Sequence, residues 1–103
     1  MYAVIFRAQV KALDDAYLNA AKRMRGLAFE KYGCLDFVSL CENGEELAIS
    51  YWPSLDAIQR WRNDEEHKSA QRIGAERWYS SYRVEVVELV RSYNSVSSFQ
   101  KQS

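Results

Sequence analysis

Apolar and polar residues alternate through the first ten positions of the chain. Tyr2, Val4, Phe6, Ala8 and Val10 share one side of an extended segment, and the other side also begins with apolar residues. A period of two is typical of a β-strand. The pattern therefore predicts a first strand over 2–10 with two partly apolar faces.

The spacing of apolar residues changes to a helical period after residue 13. Asp14 and Asp15 provide an acidic cap, and Gly33 is a typical helix stop. These features predict a helix over about 14–32. Its apolar residues at helical spacing are Tyr17, Leu18, Ala21, Met24, Ala28 and Phe29.

Two further strands are predicted over 35–41 and 46–52. Between them lies Asn43-Gly44, a pair that tolerates the positive φ angles of a type I′ turn. Pro53 ends the sheet pairing because it has no amide hydrogen to donate. The middle of the chain is therefore predicted to be a β-hairpin.

The second half of the chain begins with a Ser54 cap and a short helix with Ile58 and Trp61 on one side. Asn63-Asp64 interrupts the helical pattern, and a second helical stretch runs from Asp64 to near Gly74. Alternating valines then predict a last strand over 82–91.

The predicted order is βαββαβ, the ferredoxin-like plan. In this α+β fold, helices cover one face of a four-stranded antiparallel sheet. Both faces of the first and last strands carry apolar residues, so the second face also needs a cover. A second copy of the chain would provide one, which predicts a homodimer packed sheet to sheet. The folded domain is predicted over 1–92, followed by a polar tail over 93–103 that is flexible or forms a dimer arm.

Composition narrows the possible partners. The 103 residues include 14 Lys and Arg against 14 Asp and Glu, so no basic surplus favours nucleic acid. No apolar run approaches the roughly 20 residues of a membrane span, and the first residues do not resemble a signal peptide. We expect a cytoplasmic protein with no nucleic-acid or membrane partner.

The two cysteines flank the second predicted strand. Cys34 and Cys41 would lie over about 20 Å apart on opposite faces of that strand. A disulfide between them is therefore not expected, and without further cysteines neither is a cysteine metal site. We interpret both as buried small hydrophobic residues of a reducing compartment.

Aromatic residues are concentrated in the second half of the chain. The motif Tyr-Trp-x-Ser-x-x-Ala-Ile-x-x-Trp spans 51–61, Glu-His-x-x-Ala-Gln spans 66–71, and Trp-Tyr-x-x-Tyr spans 78–82. In these motifs the chain resembles the antibiotic biosynthesis monooxygenase (ABM) family. With the first strand and the hairpin in register, the resemblance covers about residues 2–91.

The resemblance implies a dimeric α+β barrel with a pocket between helices and sheet in each protomer. Characterised members of this family oxygenate anthrones or quinols without metal or flavin, because the deprotonated substrate itself reduces O2. The protein then has to bind a flat aromatic molecule, help to remove a proton and stabilise an oxyanion. The implied ligand is a small aromatic molecule, and no cofactor is expected.

Trp61 and His67 are the candidate catalytic residues. They flank the break at 63–64, so both could approach one cavity from its helical side. An imidazole in the first turn of a helix meets the positive end of the helix dipole, which disfavours its charged form. The carboxylates of Glu65 and Glu66 instead favour the charged form of the imidazole. If the dipole prevails, His67 is neutral near pH 7 and can serve as a base.

Five further residues are candidates for substrate binding. Their side chains are aromatic or can hydrogen-bond a quinone-like oxygen: Arg7, Tyr51, Trp78, Tyr82 and Arg83.

Structural roles compete with each of these assignments. His67 would serve as a surface or capping residue, and Trp61 as part of the core. Trp78 would be a core or dimer contact, and Arg83 would form a charged pair with Glu85.

Two functions from different classes fit this pattern. The first is a cofactor-independent monooxygenase acting on a small aromatic, quinol or anthrone-like substrate. The second is a non-catalytic dimeric protein that binds a small molecule or serves as a stress accessory. A third, haem degradation, is disfavoured, because the haem-binding branch places a His ten residues after the Trp, where this chain has Gln71.

Overall fold

The elements follow the predicted order. The computed structural model describes residues 1–11 and 14–95. Its strands and helices are β1 (Tyr2–Val10), α1 (Asp15–Tyr32), β2 (Asp36–Glu42), β3 (Glu45–Trp52), α2 (Leu55–Arg62), α3 (Glu65–Ile73) and β4 (Tyr79–Glu88). A single π-helical turn, Gly74–Trp78, joins α3 to β4.

The four strands form one antiparallel sheet in the order β2-β3-β1-β4. At its centre, Phe6 of β1 lies opposite Ala48 of β3 and Val84 of β4. The helices cover one face of this sheet. This confirms the predicted ferredoxin-like α+β fold.

Local sequence determines where several elements begin and end. Asn43 and Gly44 have φ angles of 54° and 77°, so the hairpin has the predicted left-handed turn. The Asp14 carboxylate accepts a hydrogen bond of 2.8 Å from the Tyr17 amide and caps α1. Gly33, with φ 78°, ends that helix as predicted.

The core lies between the sheet and the helices around two indoles. Trp52 of β3 is fully buried, and its Nε1 donates a hydrogen bond of 2.8 Å to Ser50 Oγ. Its ring lies 4.9 Å from that of Trp61 of α2, measured between centroids. A buried aromatic pair of this kind contributes about 1 kcal/mol beyond the apolar area it buries. These contacts attach α2 to β3.

The structure corrects two boundaries in the last third of the chain. β4 begins at Tyr79 rather than at residue 82, and it ends at Glu88 rather than at residue 91. The predicted helix end near Gly74 is confirmed, because α3 ends at Ile73; Gly74 itself has a φ of −58°, and the π-helical turn continues from it. A Cβ at Gly74 would lie 2.8 Å from Tyr79 Cε2. A glycine is therefore required at this position because the Tyr79 ring lies close to its Cα, and not because the backbone is left-handed.

The cysteines are both free, but only one matches its prediction. Cys34 is buried, whereas Cys41 is exposed. Cys41 lies in β2 at the edge of the sheet, where few elements are available to cover it. The prediction that both cysteines are buried was therefore wrong for Cys41.

The sheet face away from the helices, called the open face below, carries a group of apolar residues beside charged ones. Val38 is 46% exposed and Leu40 66% exposed. By strand alternation and the observed register, the apolar residues of this face are Ala3, Ile5, Val38, Leu40, Leu47, Ile49, Tyr51 and Val87. The sequence predicted such a second apolar face, and the structure places it here.

Two further expectations concern the ends of the molecule and the membrane. The predicted tail lies mostly outside the described residues, so its role stays a prediction. Within residues 1–11 and 14–95, no helix combines the length and apolar character that crossing a bilayer requires.

Candidate functional site

A cavity of about 150 Å³ lies between the helices and the sheet, and it opens to solvent on one side. The sheet contributes Phe6, Phe37 and Val84, and α1 contributes Ala21 and Met24. Most of this wall is apolar, which suits a flat hydrophobic ligand.

Four of the seven residues predicted from the sequence line this cavity: Trp61, His67, Trp78 and Tyr82. They come from α2, α3, the π-helical turn and β4. The structure thus brings together residues that are up to 21 positions apart in the chain.

The other three predicted residues do not line the cavity. Arg7, Tyr51 and Arg83 occupy strand positions that face away from the helices, and Arg7 pairs with Arg83 across the β1–β4 register. Arg7 forms an ion pair of 3.3 Å with Glu45, and Arg83 one of 3.7 Å with Glu85. Side chains alternate between the two faces of a strand, and each of these three residues lies an odd number of positions from a residue that faces the cavity. Their side chains therefore point to the open face.

The rings of Trp61 and His67 are in contact. Their centroids lie 4.3 Å apart at an interplanar angle of 66°. Asp64, between the two helices, caps α3 through the Glu66 amide and accepts a 2.6 Å hydrogen bond from the Tyr32 hydroxyl. This tie to the end of α1 holds the break between α2 and α3, and with it the relative placement of the two rings.

Burial controls the protonation of His67. Loss of hydration lowers the pKa of the imidazole to about 4, and the nearby Arg62 cation adds to this effect. Asp64 opposes it to a smaller degree. His67 is therefore a neutral imidazole at pH 7, as the sequence suggested, but burial rather than the helix dipole is the leading cause.

Sequence reasoning missed a polar cluster at the other end of the cavity, formed by Tyr17, Glu46 and Tyr79. The Tyr17 hydroxyl donates a hydrogen bond to Glu46 Oε1, and the Tyr79 hydroxyl donates to the same oxygen at 3.4 Å. Glu46 and Tyr17 are both buried. Burial, followed by the proximity of Glu46, raises the pKa of both tyrosines, so their hydroxyls stay protonated and act as donors.

One clue to this cluster was present in the sequence. Glu46 shares the parity of Ser50 and Trp52 along β3 and therefore points towards the helices. A carboxylate on the buried face of a strand requires a partner or a function. Its main partner, Tyr17, is 29 residues away, so no local pattern could have identified it.

Two polar side-chain atoms of residues that line the cavity are buried without a hydrogen-bond partner among the described residues. They are His67 Nδ1 and Trp78 Nε1. Trp78 packs edge-on against the Tyr17 ring, with 5.4 Å between centroids. Such atoms are costly in an apolar wall unless they serve a ligand or a water molecule.

Comparison with known proteins identifies the family. A sequence model described as antibiotic biosynthesis monooxygenase, ABM, matches residues 1–73. The chain belongs to the antibiotic biosynthesis monooxygenase family. It is 41% identical to the uncharacterised protein YqjZ of Bacillus subtilis over 91 residues. The aligned region covers 87% of this chain and 80% of YqjZ.

Two further proteins are similar to this chain, one in sequence and one in fold. A jasmonate monooxygenase of Pyricularia oryzae is 29% identical over 92% of this chain, which spans only 46% of that protein. The crystal structure of SnoaB (N63A mutant), a cofactor-independent oxygenase of Streptomyces nogalater, superposes with a TM-score of 0.77. The superposition covers 91% of this chain and 97% of SnoaB. Because the sequence identity is only 12%, this similarity shows the fold alone.

The position that bears the haem ligand in the haem-binding branch faces the same cavity. It is occupied by Gln71, and glutamine is not a customary haem ligand. Within the described part of the chain, no three His, Cys, Asp or Glu side chains are grouped to hold a metal ion. The expectation that no metal or cofactor is needed stays a prediction.

Proposed function

We propose that this ABM protein is a cofactor-independent monooxygenase that inserts one oxygen atom of O2 into a small aromatic phenol or quinol. The observation that carries the proposal is a buried, neutral imidazole in contact with an indole on the wall of an apolar cavity. A flat ring packs against Trp61, and His67 accepts the hydroxyl proton.

The substrate supplies every electron that the reaction needs. After the hydroxyl proton moves to His67, the electron-rich ring passes one electron to O2, and the two radicals combine to form a carbon–peroxide bond. The peroxide takes up the proton held by His67. The carbon then loses its hydrogen as a proton, and the O–O bond breaks to release hydroxide, which combines with that proton to form water. A phenol and O2 thus give a quinone and one water molecule, and the protein is left unchanged.

The first proton transfer is uphill, and this defines what the protein must contribute. A phenol has a pKa of about 10, so transfer to an imidazole with a pKa of about 4 costs roughly 8 kcal/mol. Attraction between the phenolate and the imidazolium in a poorly hydrated cavity offsets part of this cost. Close contact between substrate and His67 is therefore essential.

The open face supports a further part of the proposal, a homodimer packed sheet to sheet. Leu40, Val38 and Val87 are exposed apolar residues on a continuous surface, and soluble monomers rarely leave such a surface uncovered. A two-fold dimer would bury it against itself.

The alternative function is a non-catalytic protein that binds a small molecule in the same cavity. The unpartnered Trp78 Nε1 favours it, because this donor points to ligand binding without requiring a reaction.

Oxygen consumption tests the catalytic proposal. Wild type, His67→Ala and Trp61→Phe are compared on hydroquinones, phenols, naphthols and anthrones, with Lys68→Ala as the exposed control on α3. We expect uptake by wild type and Lys68→Ala, and at least a tenfold loss in His67→Ala. Equal rates in all four proteins, or no uptake with any substrate, would contradict the proposal.

Addition of hemin tests the proposal that the protein works without a haem cofactor. With no haem ligand at residue 71, we expect no specific Soret shift. A stoichiometric shift that is lost in His67→Ala would instead show haem ligation and overturn cofactor independence.

A further inference from the structure

We propose that Glu46, held by Tyr17 and Tyr79, is a binding site for a hydrogen-bond-donating head group, hydroxyl or ammonium, on a single-ring aromatic ligand. The inference deepens the proposed function by naming the substrate class, and it rests on that function only for turnover of the bound molecule. His67 lies outside this cluster, so the proposal assigns the two ends of the cavity separate tasks.

The hydrogen-bond geometry of Glu46 leaves one oxygen for a ligand. Both tyrosine hydroxyls donate to Oε1, and Oε2 receives neither. Glu46 takes part in none of the ion pairs between described residues. A buried carboxylate without a cation is costly, so a donor supplied by a ligand would be bound favourably.

Further aromatic rings pack against the two tyrosines that hold this carboxylate. Phe6 lies 5.4 Å from Tyr79 and 5.9 Å from Tyr82 between centroids, and Tyr17 lies 5.4 Å from Trp78. The faces and edges of such rings suit another aromatic ring, and their faces attract an ammonium group. Glu46 is the only carboxylate among the described lining residues, and the aromatic cluster around its two tyrosines suits flat or cationic groups.

The size of the cavity limits the ring system. A closed apolar cavity of about 150 Å³ is known to hold one benzene molecule, and the cavity here has about that volume. One ring therefore fits between the sheet and the helices, while a fused polycycle would have to extend through the opening. The structure favours single-ring ligands over anthrones, and among substrates it favours hydroquinones, which have one hydroxyl for Glu46 and a second for His67.

A purely structural role for the cluster predicts different behaviour. The Tyr17–Glu46 hydrogen bond also joins α1 to β3. Loss of either partner therefore lowers the stability of the protein, whether or not the cluster binds a ligand. Only a ligand site would also make binding depend on whether the ligand donates or accepts hydrogen bonds. The test therefore measures that dependence.

Three ligands of similar size separate the possibilities in an NMR titration of 15N-labelled protein at pH 7. Benzylammonium only donates, 4-methylphenol donates and accepts, and 4-methylanisole only accepts. We expect wild type to bind at least one of the donors about tenfold more tightly than 4-methylanisole. The indole N–H resonance of Trp78 should shift more than those of Trp52 and Trp61.

Glu46→Gln gives the decisive variant. The amide oxygen will face the two tyrosine donors, so its NH2 group will face the cavity and meet the ligand as a donor. If wild type prefers benzylammonium, that ligand should lose at least tenfold in affinity; if it prefers 4-methylphenol, the preference over 4-methylanisole should disappear. In both cases 4-methylanisole should bind as well as before or better. Glu45→Gln is the matched control, since Glu45 is exposed on the opposite side and pairs with Arg7; its affinities should equal those of wild type.

If Glu46→Gln does not fold, Tyr17→Phe/Glu46→Leu replaces both partners by apolar side chains and should bind donors and acceptors equally. A donor preference that survives in either variant, or equal affinities for all three ligands in wild type, would overturn the site. Selective binding without oxygen uptake would contradict only the monooxygenase proposal. Turnover without donor preference would contradict only the Glu46 site. A preference for the hydroxyl or for the ammonium identifies the head group.

Discussion

The imidazole of His67 lies edge-on against the indole of Trp61, with 4.3 Å between ring centroids. The two residues belong to different helices, and the Asp64 cap of the second helix sets their relation. Because this contact buries the imidazole, it also keeps His67 unprotonated at neutral pH. The contact that shapes the cavity wall thus also determines the charge of the proposed base.

The depressed pKa of His67 predicts a loss of stability in mild acid. In the unfolded chain the imidazole has a pKa near 6.5, whereas in the folded protein it is about 4. Above pH 6.5 both states are neutral, and between 6.5 and 4 only the unfolded state gains the proton. The free energy of unfolding should therefore fall by about 3 kcal/mol across this range.

Urea denaturation at pH 7.5, 6, 5 and 4.5 measures this fall. His67→Gln should show a flatter profile down to pH 5, where few carboxylates titrate. Parallel profiles for wild type and His67→Gln would show that the imidazole is not buried as described.

The Tyr17–Glu46 hydrogen bond should contribute to stability. Tyr17→Phe removes one of the two hydroxyl donors from a buried carboxylate, and we expect a loss of about 1–3 kcal/mol. Tyr17→Phe/Glu46→Leu should cost less than the sum of the single changes, because neither partner is left unpaired. Urea denaturation gives all three values, and Tyr82→Phe, at a 47% exposed ring, should stay within about 0.5 kcal/mol of wild type. Additive losses would argue against a direct interaction.

Two glycines of α1 and its cap should respond in opposite directions to alanine. Gly26 lies within the helix, and a Cβ there would meet nothing closer than Glu30 Oε2 at 4.0 Å. Gly26→Ala should therefore stabilise the protein by about 0.5–1 kcal/mol. Gly33 has φ 78°, so Gly33→Ala should destabilise it by about 1 kcal/mol. Thermal denaturation measures both, and shifts of the same sign would contradict the assigned helix end.

The open face should determine the oligomeric state. We expect wild type to sediment as a dimer at micromolar concentration and Ile49→Glu to sediment as a folded monomer, because a charge at the centre of the face cannot be buried without a partner. Leu18→Glu is the matched control on the outer side of α1, where Leu18 is 58% exposed, and should remain dimeric. Monomeric wild type would contradict the proposed dimer, and dimeric Ile49→Glu would place the interface elsewhere.

The predictable parts of the fold depend on neighbouring residues. The Asn43-Gly44 turn, the Asp14 cap and the Gly33 stop all lie where local patterns placed them, because turns and caps form from residues within a few positions of one another. Gly74 also follows the end of α3 directly, where the local pattern placed a helix end. The absence of a side chain there is explained by the contact with the Tyr79 ring, which lies five residues further along the chain.

The candidate site was only partly predictable. Trp61 and His67 were found because they lie close in sequence and have distinctive side chains, and their contact follows from two adjoining helices. The Tyr51 hydroxyl could hydrogen-bond a substrate, but the position of Tyr51 along β3 places its side chain on the open face.

The sequence by itself determined the order of the elements, the presence of apolar residues on both sheet faces and four residues of the cavity wall, Trp61, His67, Trp78 and Tyr82. Only the tertiary structure decided that Tyr17 meets Glu46 across 29 residues, and that burial sets the charge of His67. The reason is physical: periodicity and turn preferences act over short stretches of chain. Desolvation and long-range hydrogen bonds exist only once distant segments have packed together.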